Sequence, residues 1–357
     1  MNLSEKTLER MKTLTELHGA PGFEDLVRNY LRTEFSALGA EIITDGLGGI
    51  FGVKRAKNED APKVMIAAHM DEVGFMVTEI QDNGLIKFTP LGGWSTDVLL
   101  SQKMKLRTQD NKEITGVVGS VPVHFRRGDN KTTEIKDMLF DVGADSKEEV
   151  REMGIELGDS IVPDVKFEVM ENTKKLLAKA WDNRYGCLIA LEVLEELKDT
   201  DLDCHLYVGA NVQEEVGLRG AKVSSNMIKP DVAFVVDCSP ANDMLGKKND
   251  TGQLGKGTLI RLLDRTMILR KNMRDFLLET ADKNNVKYQY YTSPGGTDAG
   301  SVHVSNDGVP SAVVGICSRY IHTSHSIINY EDYLEAKTLL TELVKRVDTK
   351  KVETLRG

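Results

Sequence analysis

Aromatic side chains are scarce in this chain. Phe, Trp and Tyr together make up 6% of 357 residues, and the two tryptophans are Trp94 and Trp181. So few rings argue against a cleft that stacks sugars. Cysteine is scarcer still. The four thiols, Cys187, Cys204, Cys238 and Cys317, form no CxxC pair, and each lies in or beside an apolar run. That excludes a disulfide scaffold and a closed Cys-ligated zinc site, and it reads as buried reduced thiols in a cytoplasmic protein. No apolar run approaches the length of a membrane span. The first residues, MNLSEKTLERMKTLTEL, are charged and helical in pattern and lack the apolar segment of a secretory signal. An excess of basic charge is also missing. The net charge of -9 argues against non-specific nucleic-acid binding, but a local basic pocket for an acidic substrate remains compatible with it.

What is present is alternation. Leu8, Met11, Leu14 and Leu17, then Leu26, Tyr30, Leu31, Phe35 and Leu38, recur at helical spacing around a Pro21-Gly22 break. Short β-like runs follow: EIITD, IFGVK and VMIAAH. From 73 to 165 the texture becomes mostly β, with one acidic helix near 146–153. After that, strand-like and helix-like segments alternate to a closing helix near 331–347. The expected fold is α/β: a catalytic domain from 1–72 and 166–357, interrupted by a β-rich insert at 73–165.

Five apolar strand candidates end at, or just before, a metal-capable side chain. VMIAA ends at His69, LLAKAW at Asp182, LYVGANVQ at Glu214-Glu215 and VAFVV at Asp237, and SAVVGI leads to His322. In open α/β sheets, sites form outside the carboxyl ends of strands, so five such ends would converge their side chains. Each residue has a plainer explanation when taken alone. His69 with Asp71 makes a weak HxD, although Asp71 would suit the task of fixing the imidazole tautomer. Asp182 could be a helix N-cap, or a carboxylate whose two oxygens bridge two cations. Glu214-Glu215 is the stronger signal, because adjacent acids repel unless a cation or a proton separates them. Asp237 would be costly to bury unpaired at the end of an apolar strand. His322 and His325 share IHTSHS, and spacing alone does not choose between them. Two imidazoles and four carboxylates suit zinc, cobalt or manganese, and a pair of ions sharing one carboxylate is the common hydrolytic design. GGTDAG, with Gly296, Thr297 and Asp298, reads either as a loop whose backbone approaches a substrate or as a plain turn.

The motifs AAHMDEVGF, AWDNRYG, VQEEVGLRGA, VVDCSP, GGTDAG and RYIH, in this order, resemble the M42 family of metallo-aminopeptidases over the whole chain. GLGGIF, PLGGW and AWDNRYGC resemble its bacterial glutamyl branch in particular. The resemblance implies a three-layer α/β/α catalytic domain carrying a PDZ-like insert used in assembly. It also implies two divalent ions per subunit, peptide substrates, and tetrahedral homododecamers. His69 and Asp237 would hold one ion, Glu215 and His322 the other, with Asp182 bridging and Glu214 as general base. The preceding Arg-Tyr-Ile favours His322 over His325. GGTDAG would lie near the site. A preference for N-terminal Glu or Asp would need a cation, for which Arg261 and Arg319 are candidates, with Lys256 behind them. The alternatives are a broad or Leu-preferring aminopeptidase, a related metal-dependent deacylase, an endoglucanase, and a non-enzymatic assembly protein. The intact set of ligands and base speaks against the last.

Overall fold

The computed structural model describes residues 3–125, 133–247 and 251–357. Residues 126–132 of the expected insert therefore lie outside the described residues. At the centre is a nine-stranded mixed sheet. Four of its strands run parallel side by side, in the order His205–Asn211, Lys63–His69, Val232–Val235 and Ser311–Ser318. Antiparallel strands Ile50–Lys54 and Glu41–Thr44 extend one edge. Thr258–Leu263 and Tyr288–Thr292 extend the other, and the short Cys238–Pro240 pairs beside Ser311–Ser318.

The central strands are almost wholly buried and mostly apolar because both faces are covered, which is the usual condition of parallel sheets. Their alternating side chains supply two cores. Val64, Ile66 and Ala68 point into the larger one, which the buried helix Trp181–Leu197 and the helices Glu5–Glu16, Asp25–Ala37 and Tyr330–Val344 complete. Met65 and Ala67 point the other way, towards Ala221 of helix Arg219–Ile228 and Ala299 and Val302 of helix Asp298–His303. The chain is thus a mixed α/β fold with helices on both faces of the sheet.

Residues 74–163 contain a closed six-stranded barrel, ordered Gly74–Ile80, Ile86–Leu91, Leu139–Asp141, Glu113–Gly119, Lys103–Arg107 and Ser160–Pro163. This small barrel lies within the stretch expected as a β-rich insert. The barrel has its own core of Phe75, Phe88, Met104, Leu106, Phe140 and Ile161, with Trp94 stacked on Phe75 at 5.0 Å. Polar contacts join barrel to sheet domain. Arg107 donates to both oxygens of Asp25 at 2.6 and 2.8 Å, and His18 Nε2 meets Ser160 Oγ at 2.7 Å.

One strand differs from the sequence expectation. LLAKAW does not belong to the large sheet. Lys175–Ala178 sits in a separate three-stranded sheet with Glu168–Val169 and Ser326–Asn329. Its hydrophobic run resembles that of a core strand, but its partner is the segment that follows the His322 loop. Among the described residues no helix is long and apolar enough to cross a membrane.

Candidate metal centre

Ladder bonds carry the parallel strands in step up to their carboxyl ends. His69 lies opposite Asn211, Met70 N donates to Asn211 O at 2.8 Å, and Val236 N donates to Ala67 O at 2.8 Å. His69, the turn holding Glu214-Glu215, and Asp237 therefore emerge on one rim. Asp182 arrives from the opposite layer, at the kinked start of helix Trp181–Leu197. Asn183 fixes it there by donating from Nδ2 to Val236 O at 2.7 Å, while Tyr185 Oη donates to Asp237 O at 2.6 Å. His322 comes from a loop beyond Ser311–Ser318, whose base is tied by paired backbone bonds between Arg319 and Ile327.

The six side chains meet. His69 Nε2 lies 3.1 Å from Asp182 Oδ1, 3.7 Å from Asp237 Oδ1 and 4.0 Å from Glu214 Oε2. His322 Nε2 lies 3.2 Å from Asp182 Oδ2 and 3.3 Å from Glu215 Oε2. Asp182 thus turns one oxygen to each imidazole. Two groups spaced for a metal ion share it: His69, Asp182 and Asp237, with ligand atoms within 4.8 Å of one another, and Asp182, Glu215 and His322, likewise within 4.8 Å. His325 stands apart, with its Nδ1 3.0 Å from Ser324 Oγ.

Electrostatics show what the cluster demands. Burial and the neighbouring acids Asp237 and Glu215 push the Glu214 carboxyl well up, against the pull of His69. Burial also pushes up Glu215 and Asp237. Burial acts on Asp182 in the same direction, but hydrogen bonds from His322 and His69 outweigh it and hold that carboxyl well below its usual range. Burial would lower both imidazoles, yet the carboxylates win. Glu214 and Asp182 raise His69 well above its ordinary value, and Glu215 and Asp182 raise His322 to about 11. A buried group of four acids calls for positive charge. Glu215 Oε1 has no hydrogen-bond partner, which leaves a ligating atom free. Carboxylate and imidazole donors of this kind fit a pair of divalent ions.

Asp71 meets the second ring nitrogen of His69, chiefly through its main chain, and its side chain has a further task. Its carbonyl meets His69 Nδ1 at 3.0 Å, and its carboxylate stands 3.5 Å from that nitrogen. The carboxylate oxygens accept the backbone N–H groups of Glu214 and Glu215, each at 3.0 Å. Asp298 is buried behind the cluster. It accepts from Asn211 Nδ2 at 2.8 Å, and burial near Asp237 and Asp71 pushes its carboxyl up to about 7. Thr297 caps the short helix that begins at Asp298, and Gly296 packs against Thr266. Both expected arginines already have anionic partners. Arg319 forks onto Asp243 at 2.7 and 2.8 Å. Arg261, buried, donates to Asp264 at 3.1 Å and to Ser239 Oγ at 2.7 Å, and its Nε has no partner.

A buried ion network went unread in the sequence, though its members flank the quoted motifs. Arg184 donates to the carbonyls of Met70, Leu14 and Leu17 and to Glu72, which also pairs with Lys179. Charged residues beside motif positions in HMDE and WDNR were the available signal. Non-glycine residues in the left-handed region also crowd the rim: Ala180, Gln213, Tyr320 and His322. Each costs about 1–3 kcal/mol and persists only where the surroundings impose it, a habit of functional sites.

Residues 48–339 match the M42 glutamyl aminopeptidase family. The chain belongs to that family. It is 46% identical to the glutamyl aminopeptidase of Lactococcus lactis subsp. cremoris, covering 98% of this chain and 99% of that protein. Among solved structures it is similar to a TET aminopeptidase from a marine sediment Thaumarchaeota archaeon, with TM-score 0.95, 36% identity and coverage of 99% and 100%. It is also similar to the TET1 peptidase of Pyrococcus horikoshii, with TM-score 0.86, 27% identity and coverage of 96% and 100%. That protein can assemble into a tetrahedron or a large octahedral shell. This M42 chain is a metal-dependent aminopeptidase, a peptide-bond hydrolase.

Proposed function

We propose that this aminopeptidase removes N-terminal residues, acidic ones by preference, at a centre of two divalent ions. His69 and Asp237 would hold one ion and Glu215 and His322 the other, with Asp182 available to both. The observation that carries this reading is Asp182 itself, whose two oxygens face two different imidazoles at 3.1 and 3.2 Å. Zinc or cobalt suits the donor set, with manganese as a third choice. Bound there, the ions would supply Lewis acidity and lower the pKa of a water nucleophile towards neutrality.

Glu214 is the base. It sits beside the ligands, 4.0 Å from His69 Nε2, and its raised basicity suits it to take the proton of the attacking water and return it to the leaving amine. Asp71 holds the amides of both glutamates and so fixes where their side chains start.

For an acidic first residue, Arg261 is the better cation, because it keeps Nε unpartnered while Arg319 is forked onto Asp243. The carboxylate partners of both arginines favour a second reading, a broad or Leu-preferring enzyme. Rates on Glu-, Asp-, Leu- and Lys-p-nitroanilides decide between them. Glu fastest, with activity abolished by a chelator, is the expected result; Leu fastest defeats the acidic preference. We take 73–165 as the assembly domain, the counterpart of the family's PDZ-like insert, and the assembled form as a homododecamer like the tetrahedron of the Pyrococcus horikoshii peptidase. Light scattering tests this, and a stable monomer would contradict it. A cytoplasmic setting accords with four buried cysteines, all unpaired.

A further inference from the structure

The barrel reaches into the metal centre from outside the sheet domain, at the half that carries Glu215 and His322. The loop that carries His322 leaves the sheet at Arg319 and returns at Ile327. Near its far end the buried Ser324 donates from Oγ to Gln102 Oε1 at 2.7 Å, across 222 positions of sequence. Gln102 belongs to the barrel, immediately before strand Lys103–Arg107. A second barrel segment packs on the same half. A Cβ at Gly93 would lie 3.4 Å from His322 Nδ1, and one at Gly92 would lie 3.3 Å from Glu215 Cβ and 2.7 Å from Val73 Cγ1. Gly92 also has φ +93°, which disfavours a side chain on its own account. Tyr320 and His322 hold left-handed backbone conformations that the loop would not keep unaided.

We propose that Gln102 is a positioning residue of the metal centre, holding His322 through Ser324, and that Gly92, with no bulky side chain at position 93, leaves the clearance that Glu215 and His322 need. The inference rests on the reading of this cluster as a two-ion site. It gives the inserted barrel a part in the centre as well as in assembly. Polar groups that orient a ligand in this way change metal affinity by about 10- to 100-fold when removed.

The test is titration of the ion-free full-length protein with Co2+, followed by calorimetry and visible absorption. Gln102→Leu removes the acceptor at similar volume, Gln102→Glu retains it, and Ser324→Ala removes the donor. Gln102→Leu and Ser324→Ala are expected to bind one ion as the wild type does and the other about 10- to 100-fold more weakly. The double variant should be no worse than either single one, and Gln102→Glu should restore the wild-type profile. Gly93→Val, which crowds the imidazole, should weaken the same ion, whereas Gly93→Ala should not. Melting of the ion-free proteins is measured alongside. Equal weakening of both ions in step with melting, or two wild-type affinities in Gln102→Leu, overturns the inference while the two-ion site stands. A wild type that binds fewer than two ions, or an H322A variant that keeps both, overturns the two-ion reading and this inference with it.

Discussion

The two halves of the candidate centre are built by different means. His69 and Asp237 stand at the ends of adjacent parallel strands, deep in the sheet domain, with His69 only 1% exposed. Their positions follow from sheet register, and the register follows from apolar strands packed on both faces. Glu215 and His322 leave the strands behind. The His322 side chain is 37% exposed, on a loop in left-handed conformation that touches the barrel. One half is thus placed by the regular fold. The other is placed by a few specific contacts between distant segments, and Asp182 joins the two.

The largest effect is expected where the halves meet. Asp182→Ala should lose both ions and all measurable turnover; elemental analysis that still finds two per chain sinks the bridge. Next comes Glu214→Gln, which should keep both ions and lose turnover by about 10^2- to 10^4-fold, as for a general base. A near-normal rate would remove Glu214 from that role. The halves should then separate under single substitutions. His69→Ala and His322→Ala should each lose one ion, but His69→Ala should lower the melting temperature of the ion-free protein more, because it opens a cavity in a packed rim. Equal melting losses would erase the distinction between a sheet-built and a loop-built half.

The smallest effect concerns a brace on the turn that carries Glu214 and Glu215. Glu24 Oε1 accepts the amides of Gly22 at 2.8 Å and Gln213 at 3.1 Å, and burial with Asp71 nearby pushes its carboxyl up to about 7. The folded state therefore holds a proton that the unfolded chain releases at lower pH. Stability falls as pH rises through the interval from the usual carboxylate range to about 7. Glu24→Gln keeps the single acceptor oxygen without the charge. It should melt like wild type at pH 4 and be more stable by roughly 1–3 kcal/mol at pH 8. A gap that does not grow with pH would show that Glu24 titrates normally.

The same contrast explains what could be read from the sequence. VMIAAH and VAFVVD display buried parallel strands directly, so their terminal His69 and Asp237 were visible as candidates, as was the acid pair after LYVGANVQ. The helices at both ends of the chain were legible from their spacing. The strand before Asp182 was misplaced, because hydrophobicity does not reveal which sheet a short run joins. Spacing does not distinguish His322 from His325; in space His322 Nε2 reaches Asp182 and Glu215 at 3.2 and 3.3 Å, while His325 Nδ1 turns to Ser324 Oγ. Arg184, Glu72 and Lys179 carry no periodic signal; their pairing exists only once segments far apart in sequence are packed. Barrel closure was equally hidden, since short β runs with turn residues between them do not state their order.

Asp71 bears on how this sequence can drift. Its two oxygens hold the amides at 214 and 215, so its hold depends on the backbone and is indifferent to the side chains there. Evolution can exchange the acids at those positions without disturbing the tie, and activity alone will judge the result. Proline is different: at either position it deletes a hydrogen that Asp71 receives. Glutamate at 71 would be one methylene too long for the same pair of amides. Variation at 71 is therefore tied to the main chain of a segment 143 positions away.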